Sequence, residues 1–262
     1  MHCRALGTLA ALVVLAPAAR QAPVVPVSLI PEFVVVRPGT TLRVAVRIEI
    51  PDGWHIGWKY PGQSGLPTVL TWRVSPGITA SETAWPFPER AETIGTVSHI
   101  YQGDAVLITS FKVSGDAVPG AADIVADVRW GICREICIPQ DRQVRTTVSV
   151  GSGAMQSPSW HTVDAAALQR LPQRPEHAGL EVRRVRGGIG IARSRQGQGV
   201  LPPAGSMTFF PENPDRTALA QLVDARTAPT GLFIRMVLPP FASLKGVLVS
   251  GDRALLIDLP AR

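Results

Sequence analysis

An alternation of apolar and polar residues from Leu42 to Ile50 limits most strongly how this chain can fold. Successive side chains of a β-strand point to opposite faces, so the alternation places one row of aliphatic residues on a single face. That row consists of Leu42, Val44, Val46, Ile48 and Ile50. Turn segments with Pro and Gly flank it at residues 38–39 and 51–53, as expected for a strand between two turns.

Similar strand-like segments recur along the chain, separated by Pro- and Gly-bearing loops. The 24 Gly and 24 Pro residues agree with this pattern, because many short strands need many turns. Further candidates in the first half are residues 69–74, 105–113, 122–130 and 143–150. Candidates in the second half are residues 180–185, 189–192, 207–210, 232–238, 246–249 and 254–259. The spacing predicts an all-β chain, a β-sandwich followed by a second, smaller β-rich domain.

The first 19 residues have the form of a secretory signal peptide. Arg4 precedes an uncharged run over residues 5–16, and a small-x-small cleavage site follows at residues 16–18. The run is too short to span a membrane, and an uncleaved interfacial anchor is the alternative interpretation. We therefore expect an exported protein that is soluble after signal removal and does not span the membrane.

Three further segments are predicted after the signal. A sandwich domain is expected over residues 30–150, a linker over residues 151–162 and the second domain over residues 163–262. A short helix is expected between residues 163 and 171, where Pro172 ends it.

The net charge of +6 does not by itself indicate a nucleic-acid partner. Nucleic-acid binding needs a dense basic face with interleaved aromatic residues, whereas the basic residues here are scattered through strand-like segments. Export argues in the same direction. We predict a solvated basic face and no nucleic-acid binding.

Two cysteines, Cys133 and Cys137, remain when the signal segment with Cys3 is set aside. Residues four apart in a straight strand are separated by about 13 Å, whereas a disulfide needs Cα atoms within roughly 7 Å. If the pair bonds, the chain must turn between the cysteines. A tight hairpin with residues 134–136 at its tip satisfies this requirement, and one helical turn is the alternative.

Three roles for the pair stay open from the residues alone. A structural disulfide would close a very short loop and contribute only about 2 kcal/mol through loop entropy. A short, exposed disulfide is also easier to reduce, which favours redox exchange. Metal binding is the third role: copper(I) can be held by two thiolates, and zinc would need two more ligands. The histidines that could supply them are His55, His99, His161 and His177.

The segment around the cysteines resembles the active-site hairpin of the periplasmic N-terminal domain of the thiol:disulfide interchange protein DsbD and related ScsB-type proteins. Residues 130–139 carry the resemblance, and four other segments match in order. They are residues 52–56, 61–68, 85–90 and 100–103. The similarity covers about residues 33–150, somewhat under half of the chain.

The resemblance implies an immunoglobulin-like sandwich in the periplasm, in which Cys133 and Cys137 are the catalytic residues of a thiol–disulfide oxidoreductase. It implies two partners, exported thioredoxin-like proteins and a membrane electron donor that acts in trans, and no cofactor. A non-catalytic copper(I) carrier, or an assembly adaptor with a structural disulfide, remains the alternative. Because Ile138 and Pro139 follow Cys137, we expect Cys133 to be the less protected sulfur.

Members of this family shield the cysteine pair with a cap loop, and the matching segment here is residues 92–101. The candidate cap residues are Glu92, Thr93, Ile94, His99 and Tyr101. In DsbD the cap carries adjacent aromatic residues where this chain has Thr93 and Ile94, so the expected shield is looser or is supplied by Tyr101. The cysteine spacing is also shorter than in DsbD.

Overall fold

The computed structural model describes residues 22–93, 95–163, 165–195, 199–213, 220–228, 230–237 and 243–261. Nearly all of its regular structure is β, which confirms the predicted all-β class. The strands are β1 (Val27–Pro31), β2 (Phe33–Val36), β3 (Thr41–Glu49), β4 (His55–Gly62), β5 (Val69–Val74), β6 (Ile78–Ala84), β7 (Glu89–Thr93), β8 (Thr96–Tyr101), β9 (Asp104–Val113), β10 (Gly120–Cys133), β11 (Cys137–Val150), β12 (Met155–Gln156), β13 (Leu180–Val185), β14 (Gly188–Arg193), β15 (Met207–Pro211), β16 (Gln221–Ala228), β17 (Gly231–Val237), β18 (Leu244–Ser250) and β19 (Arg253–Leu259). The helices are α1 (Ala165–Gln169) and two 3₁₀ turns, Pro158–Thr162 and Pro175–Ala178.

The first half is a sandwich of two sheets, which confirms the predicted immunoglobulin-like sandwich. One sheet has the strand order β1-β3-β9-β6. The other has the order β12-β2-β11-β10-β4-β8-β7, and β5 also pairs with β10. All of these pairings are antiparallel except that of β2 with β11. The sheets bury an apolar core between them, to which β3 contributes Val46 and Ile48, and β10 contributes Val128 and Ile132.

Strand β3 shows why the alternation in the sequence predicts this fold. Its aliphatic row, from Leu42 to Ile50, is at most 5% exposed at every member. Arg43 and Arg47 lie on the other face, where they pair with Glu32 and Asp104. One face of the strand therefore packs into the sandwich, while the other carries the partly exposed Arg43 and Arg47 and is covered at Ala45, and the two sets of residues alternate as the period of two requires.

The second half contains two smaller sheets, with the orders β13-β14-β17-β16 and β15-β18-β19. Their inward-facing residues form a separate apolar cluster that includes Ile189, Ile191 and Ile234. This is the second β-rich unit that the strand spacing predicts.

The segment between the two halves is packed against the sandwich. Strand β12 pairs with β2, and Trp160 is buried against Ile30, Ala45 and Val106 on the outer face of the sheet that contains β3. The predicted helix is present as the shorter α1. The boundaries of the signal, linker and two domains stay a prediction, and residues 1–19 lie outside the described part of the chain.

The two halves share apolar packing. Phe210, Val247 and Ala254 from the second half belong to the same buried cluster as Trp58 and Tyr101 from the first. A few residues away, Lys59 Nζ lies 2.6 Å from a carboxylate oxygen of Glu212. Strand β4, which carries Trp58 and Lys59, and strand β8, which carries Tyr101, therefore both contribute to the junction of the halves.

Candidate functional site

The cysteine pair closes the end of the longest hairpin in the sandwich. Strands β10 and β11 pair along their full length, and Cys133 and Cys137 are the last partners before the turn. Arg134, Glu135 and Ile136 form that turn, in which the Arg134 amide donates to the carbonyl of Ile136. The cysteines form a disulfide with Cα atoms 4.0 Å apart. The prediction of a tight hairpin with residues 134–136 at its tip is therefore confirmed, and the helical-turn alternative is wrong.

The two sulfur-bearing residues differ sharply in exposure. Cys133 is only 2% exposed, whereas Cys137 is solvent-exposed. The expectation that Cys133 is the less protected residue is wrong. The reason lies in the strand order: β10 lies between β4 and β11 at Cys133, whereas the described pairing of β11 with β2 is confined to residues 149 and 150. Cys137 therefore lies at a sheet edge, which an incoming sulfur can approach.

A histidine occupies the other side of Cys133. On β4, His55 is the direct register partner of Cys133, so His55, Cys133 and Cys137 form one row across three neighbouring strands. Residues paired in this way point to the same face of a sheet. Burial lowers the pKa of His55 below the ordinary histidine value, so its imidazole is largely neutral at neutral pH. Sequence reasoning considered His55 only as a zinc ligand, because the pairing of β4 with β10 is not visible in the sequence.

Two glycines on the same face as Cys133 allow a loop to lie directly on the sheet. Gly57 and Gly131 stand next to the paired residues Ile56 and Ile132. A Cβ atom at Gly57 would overlap the carbonyl oxygen of Leu66, and one at Gly131 would lie 2.7 Å from the Leu66 Cβ. Thr68 fixes the end of the loop, because its hydroxyl donates to the Gly57 carbonyl at 2.6 Å. The segment 61–68, one of those that carry the family resemblance, thus covers the sheet beside Cys133.

The neighbouring row on the opposite face belongs to the core. Ile132, Ile56 and Tyr101 are register partners across β10, β4 and β8, and each is at most 2% exposed. The sheet under the cysteines therefore rests on a packed apolar layer, which holds the backbone of the site in place.

The first group of candidate cap residues lies at the turn between β7 and β8. Glu92 forms an exposed ion pair with Arg90 at 2.9 Å, and Thr93 is the register partner of Thr96. Ile94 lies outside the described residues. Thr96 is five positions before Tyr101, which corresponds to roughly 17 Å of extended strand. The register thus places this turn at the end of β8 that is remote from the row of Cys133.

The other candidate cap residues, His99 and Tyr101, are buried. His99 Nδ1 lies 3.0 Å from the carbonyl oxygen of Tyr60, and its ring centroid lies 5.1 Å from that of Phe210. The Tyr101 hydroxyl donates to the Pro86 carbonyl at 2.7 Å. Burial lowers the pKa of His99 and raises that of Tyr101 well above its ordinary value. These contacts connect β8 to the second half and to the core, and a shielding role for the cap stays a prediction.

A shallow groove of about 330 Å³ runs beside the hairpin close to the cysteines. Leu66, Arg129, Trp130, Pro139 and Asp141 are among the residues that line it. At the tip of the hairpin, Ile136 is 71% exposed. The site therefore offers an approaching protein one exposed apolar side chain at the tip, next to two charged ones, and a groove with one charge of each sign.

The described residues do not assemble a metal site of the usual kind. Among them, no three His, Cys, Asp or Glu side chains come together in a way that could hold an ion. Of the four candidate zinc ligands, His55 adjoins Cys133, His99 contacts Phe210, and His161 and His177 lie in the two 3₁₀ turns. Within the same residues, no helix is both long and apolar enough to cross a bilayer.

Comparison with known proteins links the first half to one family. The N-terminal domain family of the thiol:disulfide interchange protein DsbD matches residues 21–149. No curated protein sequence matches the chain. Among solved structures, the N-terminal periplasmic domain of ScsB from Proteus mirabilis aligns over 86% of this chain and 91% of its own, with 12% identity and a TM-score of 0.50. That likeness is one of fold.

Two further solved structures, both from Neisseria meningitidis, align with about half of the chain. The reduced DsbD N-terminal domain covers 49% of this chain and 90% of its own, with 19% identity and a TM-score of 0.29. The complex of the DsbD and PilB N-terminal domains covers 50% and 88%, with 17% identity and a TM-score of 0.27.

Proposed function

Because residues 21–149 of this chain are a DsbD N-terminal-like domain, we propose that the protein exchanges electrons with other exported proteins through Cys133 and Cys137. The observation that carries the proposal is the unequal exposure of the two cysteines in one hairpin disulfide. An exposed sulfur can form a bond with a partner, while its buried neighbour can break that bond again.

The exchange follows from this arrangement in two steps. A partner thiolate attacks Cys137 Sγ, a mixed disulfide forms, and Cys133 leaves as a thiolate. A second partner thiolate then attacks the partner sulfur of the mixed disulfide, so that the partner becomes oxidised and Cys137 leaves as a thiolate. Two electrons pass to the cysteine pair, and two protons are taken up when both thiolates become thiols. The reverse sequence reduces a partner disulfide.

The proposed partners are exported thioredoxin-like proteins on one side and a membrane electron donor, acting in trans, on the other. The resemblance of residues 130–139 to the DsbD and ScsB hairpin supports this pairing. The exposed Ile136 and the groove beside Trp130 supply a surface on which such a protein can dock. We further propose a periplasmic location, with a signal over residues 1–19 and the exchange domain over residues 30–150.

A purely structural disulfide is the main competing role. The cysteines are only four positions apart in the sequence, so the bond closes a very short loop and removes little freedom from the unfolded chain. A structural bond would also resist mild reductants in the folded protein. The response to glutathione therefore separates the two roles.

A mixed-disulfide trap tests the proposal. Cys133→Ser leaves the exposed Cys137 without the sulfur that would release a partner, so we expect a stable adduct with a thioredoxin-like protein. Cys137→Ser leaves only the buried sulfur and is the matched control, for which little adduct is expected. If neither variant yields an adduct and the wild-type disulfide resists glutathione, the exchange function is wrong.

Copper(I) binding is the second candidate, because the reduced pair would present two adjacent thiolates, which suffice for this ion. Titration of the reduced protein with copper(I) decides it. Tight binding at one ion per chain, lost in both serine variants, would support the carrier role. The absence of stoichiometric binding would exclude it.

A further inference from the structure

The position of His55 gives the buried sulfur a second neighbour. Cys133 has Cys137 as its register partner on one side and His55 on the other. Cross-strand partners have Cβ atoms about 5 Å apart and point to the same face. An imidazole nitrogen of His55 is therefore within reach of Cys133 Sγ by a rotation of the two side chains.

His55 also has the right protonation state to receive a proton. Burial lowers its pKa, so at neutral pH the ring is mainly neutral and one nitrogen is free to accept. The side chain remains half-exposed, which lets the proton pass on to water.

Charged residues lie near His55 on its own strand and on the neighbouring segments. They are Asp52, Lys59, Asp104, Arg129, Arg134 and Glu135. Lys59 and Asp104 are held in ion pairs by Glu212 and Arg47. The other four are solvent-exposed, and burial is the cause of the lowered pKa of His55.

We propose that His55 accepts the proton of the Cys133 thiol when Cys133 resolves a mixed disulfide between Cys137 and a partner. This inference rests on the proposed exchange function. The proton moves from Cys133 Sγ to the imidazole, and the Cys133 thiolate attacks Cys137 Sγ. The Cys133–Cys137 bond forms, the bond from Cys137 to the partner breaks, and the partner sulfur leaves as a thiolate that takes up a proton. The cysteine pair is oxidised and the partner is reduced.

His99, which is more deeply buried than His55, is not suited to this step. His99 also has a lowered pKa, but its Nδ1 contacts the Tyr60 carbonyl and its ring packs against Phe210. Its strand joins β4 at Ile56 and beyond, not β10. Strand register, and not burial, therefore distinguishes His55 from His99 as the neighbour of Cys133.

Ionisation of a single thiol tests the inference without any partner protein. In a Cys137→Ser background, the ultraviolet absorbance of the Cys133 thiolate is followed against pH with His55 present or changed to Gln. We expect half-ionisation to move to higher pH in the His55→Gln protein, and no movement with His177→Gln, the matched control. Equal titration curves with and without His55 would overturn the inference.

The pH dependence of the resolution rate separates proton transfer by His55 from a merely structural role of this residue. In the protein with both cysteines, His55→Gln should slow the resolution of a glutathione mixed disulfide at least about tenfold at neutral pH, with recovery at alkaline pH. Recovery is expected because the Cys133 thiol then ionises without help. A loss that is equal at all pH values would indicate damage to the fold and would contradict the inference.

A third measurement avoids substitution altogether. Nuclear magnetic resonance titration of the His55 ring, in the unaltered sequence, should show in the dithiol form an additional shift at the pH at which Cys133 ionises, because neighbouring groups that exchange a proton titrate together. The disulfide form has no thiol and should lack this shift, and its absence from the dithiol form as well would overturn the inference. A normal His55 response without any trapped partner would instead refute the exchange function alone.

Discussion

Leu66 lies against the open face of Gly131, so close that a Cβ atom at position 131 would be 2.7 Å from the Leu66 Cβ. Gly131 stands two residues before Cys133, and alternation places both on the same face of the sheet. The absence of a side chain at Gly131 therefore allows the loop 61–68 to cover the sheet beside the buried sulfur.

Replacing Gly131 with Ala tests this packing. The new methyl group must displace Leu66, so we expect a loss of about 1 to 3 kcal/mol in the free energy of unfolding. We also expect faster alkylation of Cys133 in a Cys137→Ser background, because the loop shifts away. Gly115→Ala is the control, since a Cβ atom there meets nothing within 4 Å. Unchanged stability and alkylation in Gly131→Ala would contradict the role assigned to Leu66.

The ion pair of Lys59 and Glu212 should contribute to the junction of the two halves. Both side chains are less than 20% exposed, at 19% and 17%, so Lys59→Met leaves a carboxylate poorly hydrated. We expect a loss of about 1 to 3 kcal/mol, less than for a fully buried pair. Chemical denaturation measures it, with the exposed Lys112→Met as control.

Replacing Glu212 with the neutral Gln should recover part of the stability that is lost in Lys59→Met. In the double variant Lys59→Met with Glu212→Gln, the unpaired charge is gone, so we expect the loss of stability to be smaller than the sum of the losses in the two single variants. Additive effects of the two substitutions would show that the pair does not stabilise the junction.

Buried histidine should make the fold less stable in mild acid. Burial lowers the pKa of His99, whereas the unfolded chain has a histidine pKa of about 6.5. Above that pH both states are neutral and nothing changes. As the pH falls below it, the unfolded state binds the proton first, so stability decreases until the pH reaches the folded pKa.

Denaturation midpoints at neutral and mildly acidic pH measure this effect. The decrease should be smaller in His99→Gln, and it should be unaltered in the control His161→Gln, whose histidine is exposed. A decrease of the same size in His99→Gln would show that other groups cause it.

The exposed Ile136 at the tip of the hairpin should matter for exchange and not for stability. Ile136 is 71% exposed beside Cys137, so Ile136→Asp should slow exchange with a thioredoxin-like protein roughly threefold to tenfold, since contacts near the centre of an interface contribute about 1 kcal/mol or more. Val118→Asp is the control, because Val118 is 83% exposed and far along the sequence. An equal effect of both variants would point to general charge and not to docking.

The sequence predicts local features of this chain well. The alternation in β3 and the turn between Cys133 and Cys137 follow from periods of two and from the reach of a disulfide, both of which are properties of neighbouring residues. Exposure of the cysteines did not follow, because it depends on which strands flank β10 and β11. The pair of His55 and Cys133 likewise depends on register between strands that are far apart in sequence.

The cap illustrates the same limit. A family resemblance identified residues 92–101, but the burial of His99 arises from Phe210, which belongs to the second half of the chain. No periodicity within the first half reveals such a contact. Likewise, Leu66 lies on Gly57 and Gly131 because two distant strands bring these glycines together.

The shared packing of Phe210, Val247 and Ala254 with Trp58 couples the unfolding of the two halves. Two units whose cores are independent can unfold one after the other, whereas units that share a core unfold in one cooperative transition. Heating should therefore give a single calorimetric peak. An excised first sandwich would expose the apolar patch that Phe210 now covers, and it would be more prone to self-association than the whole chain.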